Sequence, residues 1–443
     1  MRNILLIFAF ILGTSGLVIA QSHEHSNHAT DGATHVEEGH DSPAGHDQGA
    51  EAGHEEHAGQ ADHGHGHCFC DSGEAEEGFE VSSTAFHHIG DANTFHIIGE
   101  VYVPLPCILY APDHGWNVMM ASKFDIGHHG TGNLAIDRYV LVHGEVNRIA
   151  DTSFPMGEIS VECVGTEINE EGEAHYVVGY QGNCYHLESK STLDQGVFGG
   201  GITSYYDLSI TKNVFTMLLG LVLLFWMFRS VATAYKKRRG EAPRGIQGLM
   251  EPIILFIQDE VAKPFLGAKY SKYLPFLLSI FFFILGLNLI GQIPFFPGSA
   301  NVTGNLGVTM VLALFTFFIV SFSGNKHYWE HIFWMPGVPA WVKIILTPVE
   351  VLGIFIKPFT LMLRLFANIT AGHIVIMSFV GLIFIFGNSG ESLSGAGVGI
   401  AASIPLTLFM MAIELLVAFI QAFVFTLLAA SYIGAAIEEP HHH

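Results

Sequence analysis

Two apolar stretches in the second half of the chain, residues 341–386 and 398–437, constrain most strictly how this chain folds. As continuous helices, which rise 1.5 Å per residue, they would be about 65 and 60 Å long. The hydrocarbon core of a bilayer is only about 30 Å thick. Pro358 and Pro405 are natural kink points, but kinks alone do not absorb so much length. We therefore expect two membrane helices that are broken or tilted far toward the membrane plane.

Three shorter apolar spans precede these two stretches. They run from about residue 214 to 228, from 274 to 293 and from 306 to 321. Together the five spans predict an all-α polytopic membrane domain over residues 210–437, with about five transmembrane helices of which the last two are long and strongly tilted. A short tail, residues 438–443, follows this domain. Residues 246–272 are mixed in polarity, and we expect them to lie along the inner membrane face.

Basic residues indicate the orientation of the spans. A cluster follows the first span, and the loop 324–343 holds two more basic residues; they are Lys236, Lys237, Arg238, Arg239, Arg244, Lys326 and Lys343. The loops 294–304 and 387–397 hold no Lys or Arg. By the positive-inside rule the basic loops and the C-terminus are cytoplasmic, and the first half of the chain lies outside.

Charge divides the chain into two unlike halves. Residues 1–209 hold 5 basic and 31 acidic side chains, whereas residues 210–443 hold 14 and 10. The acidic half would repel phosphate, and the mildly basic half is too apolar to face water, so a nucleic-acid binder is excluded. The pattern indicates a membrane protein with an acidic extension in water.

The acidic half has three parts by composition. Residues 1–20 show the charged start, apolar run and small-residue exit of a secretory signal peptide, the alternative being a first membrane anchor. Residues 21–80 contain hardly any large apolar side chain, which predicts a disordered His-rich and acidic segment. Residues 81–209 alternate apolar and polar positions, as at Phe95 and Ile97, and predict a small β-rich periplasmic extension.

Cysteine and histidine both occur in the acidic half. Its five cysteines are Cys68, Cys70, Cys107, Cys163 and Cys184. An exported domain permits disulfides, but the odd count leaves one thiol over and the sequence does not decide the pairing. The histidines, among them His63, His65 and His67, favour a hydrated spacer with at most loose binding of Zn²⁺ or Cu²⁺. We expect no specific metal site and no cofactor.

Several polar and ionisable residues lie within the two long apolar stretches. They are Glu350, Lys357, Arg364, Asn368, His373, Glu414 and Gln421. Such residues are energetically costly in a membrane and are therefore candidates for function. Lys357 is close enough to the cytoplasmic end to extend its amine to the interface. The amides of Asn368 and Gln421 have the alternative role of holding helices together.

Helical periodicity sorts the remaining candidates. Arg364 and Asn368 share a face, whereas His373 is turned to about the opposite side. We expect His373 to meet Glu414 as a proton-handling pair. Arg364 stays charged and has no acid at its own level, since Glu350 is about 21 Å away along the axis. This pattern predicts a carboxylate from another chain, as in a rotary proton turbine, where the arginine favours the ionised form and blocks a direct leak.

Residues 358–373 read PFTLMLRLFANITAGH. This string closely resembles the signature of subunit a of the F-type ATP synthase membrane sector, and the resemblance covers about residues 210–437. It implies two long tilted helices beside a ring of c subunits, with Arg364 as the stator arginine that faces the ring carboxylate. It also implies an outer half-channel lined by Asn368, His373, Glu414 and Gln421, and an inner one that includes Glu350.

The resemblance further implies the partners and the setting. The chain would bind the c-ring, the b-subunit peripheral stalk and the rest of the complex, in a bacterial inner membrane. Many bacterial members carry Glu where His373 stands and His where Glu414 stands, so the pair is exchanged here. The exchange keeps one acid and one imidazole face to face. Residues 21–209 have no counterpart in the common family pattern.

These features favour a non-catalytic subunit that passes protons to and from the ring and couples their flow to ATP synthesis. No Walker-type phosphate loop is present in the sequence. One alternative is a self-contained metal-ion transporter fed by the His-rich segment, which predicts metal-ligating clusters on several spans. Another is a membrane-anchored periplasmic binding module, which would leave Arg364, His373 and Glu414 without a role.

Overall fold

A computed structural model describes residues 68–70, 90–98, 101–127, 130–168, 174–188, 205–238, 240–293, 298, 300–335, 338–386 and 393–438. The strands are β1 Thr94–Ile98, β2 Val101–Pro104, β3 Pro106–Ala111, β4 Gly115–Met120, β5 Leu134–Ile136, β6 Tyr139–Val142, β7 Glu145–Ile149, β8 Glu158–Ser160, β9 Cys163–Ile168, β10 Ala174–Tyr180, β11 Asn183–Glu188 and β12 Tyr206–Asp207. The α-helices are α1 Lys212–Lys237, α2 Ile246–Phe256, α3 Lys263–Leu266, α4 Tyr270–Gly291, α5 Leu306–Ser323, α6 Lys326–Phe333, α7 Ala340–Phe386 and α8 Leu393–Ile437. The predicted β-rich extension and helical membrane domain are both present.

Most of the β-rich domain is one seven-stranded antiparallel sheet of order β8-β5-β6-β7-β11-β10-β9. Three of its turns are two-residue hairpins in which both residues have positive φ, at 137–138, 143–144 and 181–182. Such turns match the right-handed twist of the strands and fix the register. Strands β1 and β2 form a separate pair, and β12 joins β3 and β4.

Strand β6 shows how the sheet forms a core on both faces. Tyr139 and Leu141 pack on one side, and Val140 and Val142 pack on the other. Alternate residues of a strand point to opposite faces, so a fully apolar strand indicates burial on both. All four side chains of β6 are buried.

Four cysteines pair in two disulfides, Cys68–Cys163 and Cys70–Cys184, while Cys107 is buried and takes part in neither bond. Both partners lie beside Gly179, because Cys163 and Cys184 are its register neighbours on β9 and β11. Residues 68–70 belong to the segment that we expected to be disordered, and for them that expectation is wrong. The two covalent bonds hold Cys68 and Cys70 against the sheet, where both are buried. Residues 1–67, which include the predicted signal peptide, lie outside the described residues.

The helical region confirms the expected number of spans. Five segments are long and apolar enough to cross a membrane: Lys212–Lys237, Ile246–Gly291, Leu306–Ser323, Trp341–Ile383 and Gly397–Ile437. The second begins at Ile246 because residues 246–272, which we expected along the inner membrane face, are helical and continue its apolar run. Ile257, Val261 and Leu266 in this stretch are buried in the common helical core.

Helices α7 and α8 contain 47 and 45 residues and are continuous in secondary structure. They are therefore about 70 and 68 Å long. The alternative of broken helices is not observed, although Pro358 and Pro405 lie inside them. Such lengths fit a bilayer only with a strong tilt.

The far end of α8 is fixed by hydrogen bonds to two connections. The Asn325 backbone N–H donates to Ala436 O at 2.9 Å and its side chain donates to Ile437 O at 2.9 Å. Lys269 Nζ donates to Ile437 O at 3.4 Å. These bonds satisfy carbonyls that a helix end otherwise leaves unpaired.

The β-rich domain docks on the start of α1. The Lys212 backbone N–H donates to Ala92 O at 2.8 Å, and the rings of Phe95 and Phe215 meet edge to face with centroids 5.6 Å apart. Phe95 and Leu105 belong to the same buried apolar cluster as the α1 residues. The domain is therefore packed against the membrane helix and not merely linked to it.

Candidate functional site

His373 on α7 faces Glu414 on α8, and their atoms Nδ1 and Oε1 are 3.6 Å apart. The helices are antiparallel, because Lys357 of α7 likewise meets Tyr432 of α8, at 5.6 Å from amine to ring centroid. Glu414 is only 5% exposed. A carboxylate and an imidazole at this distance can exchange a proton through one water, or directly after a small movement that brings them within hydrogen-bond distance.

Gly372 makes room for the Glu414 carboxyl. A Cβ atom at position 372 would lie 3.0 Å from Glu414 Oε1 and 3.4 Å from its Cδ. Such a contact is closer than ordinary van der Waals packing. The absence of a side chain at Gly372 therefore sets how deeply Glu414 lies between the two helices.

A small cavity of about 10 Å³ opens beside this pair. Its polar lining includes Asn288 and Gln292 at the end of α4 and Asn301 and Thr303 in the connection to α5. A cavity of this size holds about one water when polar partners are present. The pair is therefore next to a site that suits water, within a mostly apolar helical core.

Hydrogen bonds hold three of the polar residues of this cavity in place. Thr303 Oγ1 donates to Asn288 Oδ1 at 2.5 Å, and Asn288 Nδ2 donates to Ala418 O at 3.4 Å. Asn301 Oδ1 accepts from the Gly304 N–H at 3.0 Å. Asn301 Nδ2 is buried and has no protein partner among the described residues. An unpaired buried donor of this kind calls for water.

Arg364 and Asn368 lie on a different surface of α7. Both side chains are exposed, as are the nearby apolar residues Phe359 and Leu363. In the described part of the chain Arg364 forms no ion pair, although it is close enough to Tyr432 to interact electrostatically. An arginine on an open apolar face requires a counter-charge from another molecule.

A second cavity, of about 20 Å³, lies toward the opposite ends of the helices. Its polar lining residues are Thr316, Tyr328, Lys357 and Tyr432. Glu350 is partly buried and acts electrostatically on Tyr328, which places this carboxylate near the second cavity. The two cavities are thus on opposite sides of the level at which Arg364 lies.

The structure brings together His373 and Glu414 and separates them from Arg364 and Asn368, as helical periodicity predicts. Gln421 is 7% exposed and lies two turns beyond Glu414 on α8. His63, His65 and His67 are outside the described residues. In the described residues the one group of three potential metal ligands is Cys68, Cys70 and Cys163, whose sulfurs are engaged in disulfides.

Sequence reasoning missed Asn288 and Asn301 as cavity residues. Asn288 interrupts the apolar run of α4 and would have been found as a lone amide in a membrane span. Asn301 lies in a connection, where an amide is ordinary and gives no signal. Lys212 was also missed, because it lies at the edge of an apolar run, where a lysine usually extends to water.

Two long apolar helices carry a water-sized cavity on each side of the level of Arg364, and Arg364 has no ion pair among the described residues. These features define an ion-conducting membrane subunit. A family model described as "ATP synthase A chain" matches residues 214–434. A second model, described as a domain of unknown function (DUF8433), matches residues 84–163.

Similar curated proteins include "ATP synthase subunit a 2" of Chlorobaculum tepidum, 43% identical over 270 residues, covering 58% of this chain and 73% of the relative. "ATP synthase subunit a" of Chlorobium phaeobacteroides strain BS1 is 40% identical over 266 residues, covering 59% and 74%. The Myxococcus xanthus protein of the same name is 41% identical over 244 residues, covering 54% and 76%. The chain belongs to the ATP synthase subunit a family.

Proposed function

We propose that this chain is the proton-channel and stator subunit of the F-type ATP synthase membrane sector and couples proton flow to ATP synthesis. The observation that carries the proposal is the position of Arg364, exposed on the open apolar face of α7 and α8 without an ion-pair partner in the described residues. A fixed cation at this position can pair with a carboxylate of another chain. Proteins of this family belong to a rotary complex, and another subunit of that complex provides the carboxylate.

The partner of this face is the c-subunit ring. Arg364 stabilises the ionised form of each ring carboxylate as it passes, because an opposite charge within a few ångströms favours the charged form. The deprotonated site then remains beside the arginine until a proton arrives from one side only. Asn368, one turn farther on the same exposed face, lies along the path of the carboxylate.

The two cavities belong to two half-channels. The outer one passes from the cavity at His373 and Glu414 toward the ring, with Gln421 farther along α8. The inner one passes the second cavity and includes Glu350. Because the two half-channels are separated along the helices, a proton crosses the membrane only while it is bound to a carboxylate of the ring.

The orientation follows from charge. Lys236 and Lys237 at the end of α1 mark the cytoplasmic side of a bacterial inner membrane. The C-terminus is then cytoplasmic, and the β-rich extension over residues 81–209 is periplasmic, behind a signal peptide at 1–20 and a His-rich segment at 21–80. The subunit is non-catalytic, binds the b-subunit stalk as well as the ring, and leaves ATP chemistry to other chains.

ATP-driven proton pumping into inverted membrane vesicles tests the proposal. Arg364→Ala is expected to abolish pumping while the complex still assembles. Lys343→Gln is the control, because it removes another cation of α7 that lines neither cavity, and it is expected to leave pumping near wild type. Normal pumping by Arg364→Ala would overturn the proposal. Deletion of residues 21–67 is expected to leave pumping intact.

The alternative of a self-contained metal-ion transporter lacks support. In the described spans no group of three metal-ligating side chains is close together, and the Cys68, Cys70 and Cys163 group lies in the β-rich domain. A transport path for a metal ion needs such ligands inside the membrane. Family membership also favours proton transport.

A further inference from the structure

Three charged side chains gather where the β-rich domain meets α1. Lys212, in the first turn of α1, is only 7% exposed. Asp91, just before β1, and Glu145, the first residue of β7, both interact with it electrostatically. Burying charge is costly unless the charges compensate one another. The contact between the β-rich domain and the start of α1, formed by Asp91, Glu145 and Lys212 and called the seam below, therefore contains charges of both signs.

Asp91 is held rigidly at this seam. Its Oδ1 accepts from the backbone N–H groups of Ala92 at 3.0 Å and Asn213 at 3.1 Å. Burial raises the pKa of the Asp91 carboxyl above its usual range, while hydrogen bonds from Thr211 and Asn213 and the charge of Lys212 act in the opposite direction, and Glu145 adds to the increase. A carboxyl in this balance exchanges its proton closer to neutral pH than an exposed aspartate does.

The seam adjoins the cavity at His373 and Glu414. Lys212 is close enough to His373 to interact with it electrostatically. Helix α1 also contacts the turn 302–304, which lines that cavity. The buried atoms Asn213 Oδ1 and Asn301 Nδ2 have no partner among the described residues. Buried polar atoms of this kind are usually satisfied by water.

We infer that Asp91 is the proton-collecting group at the outer mouth of the path to Glu414, with Lys212 as its positioning residue, so that the β-rich domain is part of the proton-conducting machinery. The Asp91 carboxylate takes a proton from outside water and releases it to water between Asn213 and Asn301. The carboxylate is thereby restored, and one proton has moved inward. The inference rests on the proposed function and adds a component that the common family pattern lacks.

The experiment is proton pumping by the complete complex in inverted vesicles, whose interior corresponds to the outer side. Asp91→Asn is expected to lower the initial rate at least about tenfold, whereas Asp91→Glu retains most of it. Glu158→Gln is the control, because it removes an exposed carboxyl of the same domain. ATP hydrolysis and the amount of assembled subunit are measured in parallel, and Arg364→Ala is run beside them.

Lys212 is tested through a pH profile of passive proton conduction in vesicles stripped of the ATP-hydrolysing sector. In Lys212→Met, Asp91 loses the cation that favours its ionised form and retains its proton to higher pH, so the outer-side midpoint rises by about one pH unit. Lys212→Arg restores the wild-type midpoint. If Asp91→Asn fails to assemble, the pH profile of Lys212→Met still tests the inference.

The outcomes separate the two proposals. Normal pumping by Asp91→Asn, or an unchanged midpoint in Lys212→Met, would overturn the inference while an inactive Arg364→Ala leaves the proposed function standing. An active Arg364→Ala would overturn both. A midpoint that is shifted in Lys212→Met and normal in Lys212→Arg supports a role for the positive charge of Lys212. A purely structural lysine would change assembly and not the pH profile.

Discussion

His373 Nδ1 lies 3.6 Å from Glu414 Oε1 across the contact between two antiparallel helices of 47 and 45 residues. The pair is set into the helix contact beside a water-sized cavity, whereas Arg364 is exposed on another face of the same helix. In the proposed function, this arrangement separates the arginine that faces the ring from the two groups that deliver protons.

Gly372 provides a direct test of this arrangement. Gly372→Ala is expected to lower proton pumping several-fold, because the new Cβ lies 3.0 Å from Glu414 Oε1 and displaces the carboxyl. Gly353→Ala is the matched control on the same helix, since a Cβ there meets nothing within 4 Å. The control should even stabilise α7 by up to about 1 kcal/mol. Equal pumping by both variants would contradict the proposed role of Gly372.

The hydrogen bond from Thr303 to Asn288 predicts a second effect. Thr303→Val leaves the buried Asn288 amide oxygen without this donor and is expected to cost about 1–3 kcal/mol of stability, with reduced pumping. Thermal unfolding of the purified chain measures the stability. Thr309→Val is the control, because its hydroxyl bonds only to backbone carbonyls of its own helix and of the residue that caps it. A larger loss in the control would contradict the importance of the Thr303 hydrogen bond.

Asp113 and Arg148 predict a pH dependence of the β-rich domain. The Arg148 hydrogen bond holds the pKa of the Asp113 carboxyl below its usual range. Because the pKa of this carboxyl is lower in the folded than in the unfolded state, the carboxylate stabilises the folded domain at pH values above the unfolded pKa of about 3.9. This stabilisation is lost as the pH falls through the folded-state pKa. Asp113→Asn should therefore destabilise the chain by about 1–2 kcal/mol at neutral pH. The loss is no larger because solvent screens the half-exposed Asp113 carboxylate.

Thermal unfolding from pH 7 toward about pH 3 checks this prediction. The difference between wild type and Asp113→Asn is expected to shrink as the pH falls. Glu158→Gln serves as the control, because this carboxylate is exposed and should change little at any pH. A difference that grows toward acid pH would mean that the Asp113 carboxylate does not stabilise the folded domain.

The disulfides predict a strong stability effect in the same domain. Replacing Cys68 and Cys163 together by Ser is expected to destabilise it by about 2–5 kcal/mol, because the bond closes a loop of 95 residues. Cys107→Ala removes the buried thiol that is outside both disulfides and is expected to cost less stability. Unfolding of the full chain with and without reductant compares the two. Identical behaviour of both variants would show that the bond is not structural.

The local sequence pattern was sufficient to predict the membrane spans and to predict which residues share a face of the long helices. The 3.6-residue period alone places Arg364 and Asn368 together and turns His373 away from them. The expected contact of His373 with Glu414 is present, and its role in proton transfer stays a prediction. The number of spans followed from apolar length, because the bilayer thickness limits what one helix can cross.

Other features depend on contacts that no local pattern contains. The pairing of Cys68 with Cys163 is set by strand register across β9, β10 and β11, which the sequence does not decide. The burial of Lys212 depends on a domain that packs over the start of its helix. Residues 246–272 are mixed in polarity, but part of their apolar surface packs on α8, where the rings of Phe256 and Phe423 lie 5.4 Å apart between centroids. These two residues are far apart in the chain, so no local pattern reveals the contact.

The disulfides also determine when this domain can mature. Cys68 and Cys70 are made first, yet their partners follow 95 and 114 residues later. Cys184, the last of the four, emerges shortly before Lys212 begins the first membrane helix. During synthesis both early thiols must therefore stay available, and protected from other oxidation partners, until nearly the whole domain has been made. The membrane helices of the channel therefore begin to be made just as both disulfides of the β-rich domain can form.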